Sequence, residues 1–103
     1  MLEKDVIKKA NTFAKLNRVV AIRMHFGQGV YTAWPDYLYL IPGGRPLFVE
    51  YKATGKKPTP KQRLQIKILE DLGYDVIVAD TPEIAIEAIS RSLAAARLSG
   101  EGR

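Results

Sequence analysis

Two carboxylates and a lysine form the one group of residues in this sequence whose types and spacing suit chemistry. Asp36 follows Pro35, and after a further thirteen residues come Glu50, Tyr51 and Lys52. Side chains alternate along a β-strand, so Glu50 and Lys52 should project from one face and Tyr51 from the other. Neighbouring carboxylates repel each other unless a cation lies between them, and oxygen ligands suit Mg²⁺ or Mn²⁺. The pattern predicts a divalent metal site; the alternative is a strand-end salt bridge beside a turn aspartate.

A β-hairpin should bring these residues together. Residues 35–41 and 46–52 have the apolar and aromatic character of strands, and the Pro-Gly-Gly-Arg sequence at 42–45 is typical of a turn. Asp36 opens the first strand, so it should lie within reach of Glu50 and Lys52 near the end of the returning strand.

The other elements follow from hydrophobic periodicity and from cap residues. Apolar residues at helical spacing predict helices over residues 2–16, 60–72 and 82–96, the second opened by a capping box of Thr59 and Gln62. Runs of β-branched residues predict strands over residues 18–24 and 75–79. The chain should therefore form an α/β fold with a mixed central sheet, in which the two hairpin strands are central and covered by helices.

Length and composition narrow the class of protein. A chain of 103 residues and 11.5 kDa has room for one domain, which we place at residues 1–97, followed by a flexible tail at 98–103. There is no cysteine, which excludes disulfides and thiolate metal sites and suits a reducing cytoplasm. No apolar run reaches the roughly 18 residues of a membrane span, and the first residues lack the layout of a signal peptide. The net charge of +5 favours a polyanionic partner.

Taken together, these segments resemble the VRR-NUC domain, the virus-type replication-repair nuclease of the PD-(D/E)XK superfamily. The resemblance covers nearly the whole chain. It rests on Pro-Asp-Tyr-Leu at residues 35–38, Pro-Gly-Gly at 42–44, Phe-Val-Glu-Tyr-Lys-Ala at 48–53, Thr-Pro-Lys-Gln at 59–62, and the blocks at 69–73 and 76–78. It implies an αβββαβα core and a nuclease of a bacterial or phage-infected host cell.

The resemblance also implies roles for the residues of the hairpin. Asp36 and Glu50 would bind the metal, helped by the main-chain carbonyl of Tyr51. Lys52 would orient or activate the attacking water, or stabilise the charge that develops on the phosphate.

Two further residues match polar positions of the family. Glu3 corresponds to an acidic residue on the first helix and would bind the metal or act beside it; Gln62 corresponds to the glutamine that opens the second helix and would belong to the site. Both have a structural alternative, because a helix dipole favours an acidic first turn and the capping box alone explains Gln62.

Two departures from the family pattern concern the shape of the site. Residues 32–34 (Thr-Ala-Trp) replace the glycine that usually precedes Pro-Asp, so we expect the loop into the site to differ in shape from that of the family. Tyr51 replaces a residue that is usually aliphatic, and it requires a larger pocket on the opposite face of the sheet.

Basic residues follow the strand that carries Glu50 and Lys52. They are Lys56, Lys57, Lys61, Arg63 and Lys67. Such residues are often only solvated surface. Beside a phosphodiesterase site, however, we expect Lys56, Lys57, Lys61 and Arg63 to contact DNA phosphates.

The resemblance implies a Mg²⁺- or Mn²⁺-dependent DNA endonuclease. Minimal stand-alone members of the family resemble Holliday-junction resolvases and act as homodimers, whereas fused members act on flaps as monomers. A chain this short is expected in the first group, with branched DNA, a four-way junction above all, as its partner. The alternatives are a flap or restriction-type nuclease and a non-catalytic DNA-binding module of the same fold.

Overall fold

The computed structural model describes residues 1–24 and 33–100, except for the side chains of residues 99 and 100. These ranges contain three helices and four strands in the predicted order. They are α1 (Glu3–Leu16), β1 (Val20–Arg23), β2 (Tyr37–Leu40), β3 (Leu47–Tyr51), α2 (Pro60–Asp71), β4 (Asp75–Ala79) and α3 (Pro82–Gly100).

The four strands form one mixed sheet in the order β1-β2-β3-β4. β1, β2 and β3 are antiparallel neighbours, and β4 lies parallel to β3. The predicted hairpin is confirmed, with Tyr37 opposite Val49 and Tyr39 opposite Leu47. Its turn needs two glycines: Gly43 has a φ of +69°, and a Cβ on Gly44 would lie 2.9 Å from the Ile41 side chain.

The two faces of the sheet are covered differently. On the inner face, Tyr39, Val49 and Tyr51 are fully buried in one core with residues from α1 and α3. On the outer face, α2 packs beside β4, and no described element covers β1 and β2. There Leu40 is 44% exposed, so the expectation that helices cover both hairpin strands is wrong for the outer face of β2. A single crossover helix is too narrow to cover four strands.

The ends of three elements can be compared with the predicted ends. The capping box at the start of α2 is confirmed: Thr59 N–H donates to Gln62 Oε1 at 2.9 Å, and Gln62 N–H donates to Thr59 Oγ1 at 3.2 Å. β1 begins at Val20 rather than at residue 18, because Arg18 has a φ of +60° after the end of α1. α3 continues past the predicted end at Ala96 to Gly100.

None of the helices in the described ranges is both long and apolar enough to span a lipid bilayer.

Candidate active site

Asp36 lies just before β2, at the end of the sheet where β3 ends. Its backbone carbonyl accepts a hydrogen bond from Met24 N–H at 2.8 Å, which joins it to the end of β1. Its side-chain Oδ2 accepts a hydrogen bond from Tyr51 N–H, also at 2.8 Å. The carboxylate of Asp36 is therefore held between its two neighbouring strands, beside the residue that separates Glu50 from Lys52.

Glu50 is the most unusual side chain of the sheet, because it is a carboxylate that is only 1% exposed. Among the described residues, neither of its carboxyl oxygens has a hydrogen-bond partner. Burial raises the pKa of Glu50 well above its usual range, and the Asp36 carboxyl beside it raises the pKa further. The carboxyl of Asp36 is thus close enough to that of Glu50 to affect its ionisation. The two carboxyls do not meet the geometric criteria of a hydrogen bond.

Lys52 supplies the positive charge next to this carboxylate. Its Nζ lies 3.6 Å from Glu50 Oε2, and its side chain is 16% exposed. Its backbone N–H donates to the Ala79 carbonyl at 3.0 Å, which ties the residue to the end of β4. The lysine lowers the pKa of Glu50, but this effect is smaller than those of burial and of Asp36. The hairpin thus brings together the three residues that the sequence indicated.

Glu3 approaches the same group from the start of α1. Partial burial raises the pKa of Glu3, Asp36 raises it further and Lys52 lowers it, so its carboxyl lies within electrostatic reach of both residues. The chain start is anchored here, since Thr54 N–H donates to the Met1 carbonyl at 3.1 Å. Within the described residues, however, no three His, Cys, Asp or Glu side chains converge as a metal-binding group. The ligand role of Glu3 therefore stays a prediction.

Asp36 and Glu50 fit a divalent cation that the fold implies. A buried carboxylate without hydrogen-bond donors is costly unless a charge compensates it, and Lys52 alone compensates only part of this charge. Carboxylate oxygens, with the Tyr51 carbonyl beside them, are the ligands that Mg²⁺ and Mn²⁺ prefer. Water can complete the coordination of Mg²⁺, which seldom has an all-protein shell.

Gln62 and the basic residues lie on the segment that leaves the site. The side chain of Gln62 accepts the Thr59 N–H in the capping box, and its role in the site stays a prediction. Lys56, Lys57, Lys61 and Arg63 are all exposed. Arg63 also donates to the Pro58 carbonyl at 2.9 Å.

Asp80 fixes the loop that carries Lys56 and Lys57, a role that the sequence did not reveal. Its carboxylate accepts a hydrogen bond from Gly55 N–H at 3.0 Å, and its carbonyl accepts one from Thr54 Oγ1 at 2.9 Å. Gly55 has a φ of +86°, which favours glycine at this turn. The loop lysines are thereby attached to the end of β4.

A chain of three polar groups, two of them buried tyrosines and the third the half-buried Asn11, lies behind the site on the inner face. Tyr39 hydroxyl donates to Asn11 Oδ1 at 2.6 Å, and the hydroxyls of Tyr39 and Tyr51 are 2.6 Å apart. Since Tyr39 has already used its proton, Tyr51 donates to Tyr39. Burial raises the pKa of Tyr39 to about 12 and also raises that of Tyr51. The larger pocket expected for Tyr51 is present, and Asn11 of α1, which the sequence analysis did not single out, contributes to its polar end.

The proteins that this chain resembles include a relative in sequence and several solved structures. The chain is 33% identical over 85 residues to "Putative nuclease p44" of Acyrthosiphon pisum secondary endosymbiont phage 1, covering 82% of this chain and 90% of the relative. No family model matches the sequence.

Two of the solved structures that share the fold are described as follows. One, described as a VRR_NUC domain, has a TM-score of 0.75 and 24% identity over 85% of this chain and 94% of its own. The other, described as a VRR_NUC domain protein, has a TM-score of 0.73 and 22% identity over 91% of this chain and 89% of its own.

Proposed function

Since this chain belongs to the VRR-NUC family of nuclease domains, we propose that it is a Mg²⁺- or Mn²⁺-dependent endonuclease that hydrolyses phosphodiester bonds in branched DNA. The observation that carries the proposal is the buried, unpaired carboxylate of Glu50 between Asp36 and Lys52. The cysteine-free sequence and the phage origin of the relative support action in the cytoplasm of a bacterium or a phage-infected host.

The chain's own residues divide the work of hydrolysis between them. Asp36 and Glu50 would hold the cation, with the Tyr51 carbonyl as a further ligand. When bound, a divalent cation lowers the pKa of a water molecule and polarises the scissile phosphate. Lys52, fixed by its backbone and by Glu50, places a positive charge where negative charge grows on the phosphate, and burial makes this charge more effective.

DNA is the partner that the surroundings of the site favour. Lys56, Lys57, Lys61 and Arg63 are exposed on the segment that follows the site, so they would contact phosphates without reading base sequence. The described domain has little material for a separate base-reading module. We therefore propose selectivity for DNA structure, with the four-way junction as substrate.

A homodimer suits that substrate. A four-way junction has approximate two-fold symmetry and requires two opposed nicks, and a two-fold dimer presents two equivalent sites. A single copy has one site and little surface with which to hold several DNA arms.

Cleavage assays test this proposal directly. Labelled four-way junction, flap and duplex DNA are incubated with the purified protein in Mg²⁺, in Mn²⁺ and in EDTA. We expect metal-dependent cleavage, fastest on the junction, and its loss in Asp36→Asn and Glu50→Gln. Glu87→Gln is the matched control, because Glu87 forms an exposed ion pair with Arg91 on α3.

Each outcome has a definite meaning. Metal-dependent cleavage by either site variant at the wild-type rate would contradict the site assignment. Faster cleavage of flaps than of junctions would support the metal-dependent nuclease but contradict the four-way junction as its substrate. DNA binding without cleavage in either metal would favour a non-catalytic module.

A further inference from the structure

An exposed aliphatic surface lies on the outer side of the sheet, next to the active site. On the strands it consists of Val20, Ile22 and Leu40, which are 55%, 41% and 44% exposed, with the half-buried Leu38 between them. Val20 lies opposite Leu40 and Ile22 opposite Leu38, so the four side chains form two cross-strand pairs on one face. No described element covers this face. We call these four residues the strand patch.

Helix α2 carries a second exposed aliphatic row. Leu64, Ile68 and Leu72 recur every four residues and are 58%, 41% and 68% exposed. The buried side of α2 is marked by Leu69, which is 3% exposed. At 100° per residue the row lies about 110° to one side of the buried direction. We call these three residues the helix row.

The helix row faces the strand patch. Parallel β-α-β units are right-handed, which turns this side of α2 away from β4 and toward β2. The position of Glu70 on the other side of α2 agrees, because Glu70 lines a cavity with Ala88 and Arg91 of α3 beside β4. The strand patch is thus the floor and the helix row one wall of a single apolar groove.

The groove has the dimensions of one helix. Two strands are about 10 Å wide, which is about the diameter of a helix with its side chains. α2 packs beside β4, and the outer face of β1 and β2 is left without a covering element among the described residues. A second helix like α2 would complete the layer.

We propose that this groove binds the same groove of a second copy of the chain, with the two-fold axis running parallel to α2, so that α2 of each copy lies on the strand patch of the other. The two helix rows then meet side by side, between two sheets. This inference rests on the proposed function for its dimer and specifies the surface that forms it.

The area of the groove suits this occupant. Seven aliphatic side chains form a patch on the order of 500 Å², near the upper limit for the surface of a monomer. A specific dimer buries about 800 Å² on each partner. The polar residues that border the helix row, including the ion pair of Lys67 and Asp71 at 3.2 Å, would supply the remaining rim.

The direction of the axis follows from the positions of the two active sites. Asp36, Glu50 and Lys52 all lie at the end of the sheet where α2 begins. An axis parallel to α2 keeps both sites at the same end of the dimer, where one branched DNA can reach both. An axis perpendicular to α2 would place the sites at opposite ends.

The surface is tested with lysine substitutions that keep the fold. Ile68→Lys in the helix row and Ile22→Lys in the strand patch should each convert the dimer, with twice the 11.5 kDa mass of one chain, into a monomer. Ile84→Lys is the matched control, because Ile84 on α3 is 40% exposed, against 41% for Ile68, and lies outside the groove. Light scattering gives the mass, and circular dichroism and thermal melting show that each variant is folded.

The direction of the axis is tested by cysteine cross-linking. The sequence has no cysteine, so only the introduced cysteine can form a disulfide. A disulfide requires Cα atoms within about 7 Å of each other. With the proposed axis, Leu64→Cys and Leu72→Cys should each form a disulfide with their own counterpart. With a perpendicular axis through Ile68, residue 64 meets residue 72, so only a mixture of the two variants would cross-link.

The outcomes separate this inference from the proposed function. A dimer that survives both lysine substitutions, or cross-links only as a mixture, would overturn the inference and leave the nuclease proposal intact. A wild-type monomer at micromolar concentration would overturn the inference and the dimer, whereas metal-dependent cleavage would still support the nuclease. A dimer broken by Ile68→Lys and Ile22→Lys and retained by Ile84→Lys, with both self-cross-links, is the expected result.

Discussion

Glu50→Gln should stabilise the metal-free protein while it abolishes metal-dependent cleavage. Glutamine keeps the size of the side chain and removes its charge. The wild-type carboxylate is 1% exposed and has no hydrogen-bond partner among the described residues. Its amide replacement can donate to the Asp36 carboxylate beside it. The proposed catalytic site should therefore cost stability when the proposed cation is absent.

The magnitude follows from the environment of the carboxylate. Leaving a buried polar group without a partner costs about 1–3 kcal/mol, and more when the group is charged. Lys52, 3.6 Å away, offsets part of this cost. We therefore expect a gain of about 2 kcal/mol, which for a domain of this size raises Tm on the order of 10 °C.

The gain should depend on pH with a definite sign. Glu50 in the folded protein has a pKa of about 8, above that of a carboxyl in the unfolded chain. As pH rises from the unfolded value toward 8, the unfolded chain loses this proton first, so the wild-type protein loses stability. The difference between variant and wild type should be small at pH 4.5 and largest at pH 8 and above.

Thermal melts in EDTA at several pH values measure this difference. Glu87→Gln should change Tm little at any pH, because an exposed ion pair contributes about 0–1 kcal/mol. Adding Mg²⁺ or Mn²⁺ should stabilise the wild type and not Glu50→Gln, since a ligand stabilises the state that binds it. A variant that is no more stable than wild type at pH 8, or a gain that is the same at every pH, would refute this account of Glu50.

Three further predictions concern residues around the site. Lys52→Ala should retain metal binding in calorimetry and lose a factor on the order of 10² in single-turnover rate, as removal of a fixed charge usually does; equal losses in both would make Lys52 a residue that organises the metal site. The double variant Lys56→Ala and Lys57→Ala should lower the slope of log affinity against log salt by about 2, whereas Lys15→Ala at the far end of α1 should leave it unchanged. In urea unfolding, Tyr39→Phe should cost about 2 kcal/mol, because it leaves Asn11 and Tyr51 without their shared partner, and Tyr51→Phe about 1 kcal/mol; an equal cost for the two would contradict the position of Tyr39 as the shared partner.

The sequence predicted the elements where local signals were strong. β4 has the predicted bounds, and the Thr59 capping box places the start of α2. The prediction failed where α1 ends in a left-handed residue, a position that usually holds Gly or Asn and here holds Arg18. Arg18 was assigned to β1 from its β-branched neighbours, but its left-handed conformation delays the strand to Val20.

The sequence predicted which residues come together at the site, but it did not predict how deeply they are buried. Alternation along β3 placed Glu50 and Lys52 on one face, and the hairpin placed Asp36 beside them. Nothing in the sequence showed that the Glu50 carboxylate would be almost completely buried, because that depends on how the helices and loops pack around the end of β3. For the same reason, the sequence did not reveal that Asp80, which belongs to the end of β4, would hold the loop of Lys56 and Lys57.

Tyr51 explains how the core can hold a repulsive group of charges in place. Its ring is fully buried and hydrogen-bonded to Tyr39 on the inner face, while its N–H donates to Asp36 at the edge of the sheet. Its two neighbours, Glu50 and Lys52, project to the outer face. Because the ring cannot move without breaking core contacts, the backbone between the two charged residues is fixed. Packing on the other side of the sheet thus keeps Asp36 and Glu50 close together although their charges repel each other. This is the arrangement that the proposed cation would need.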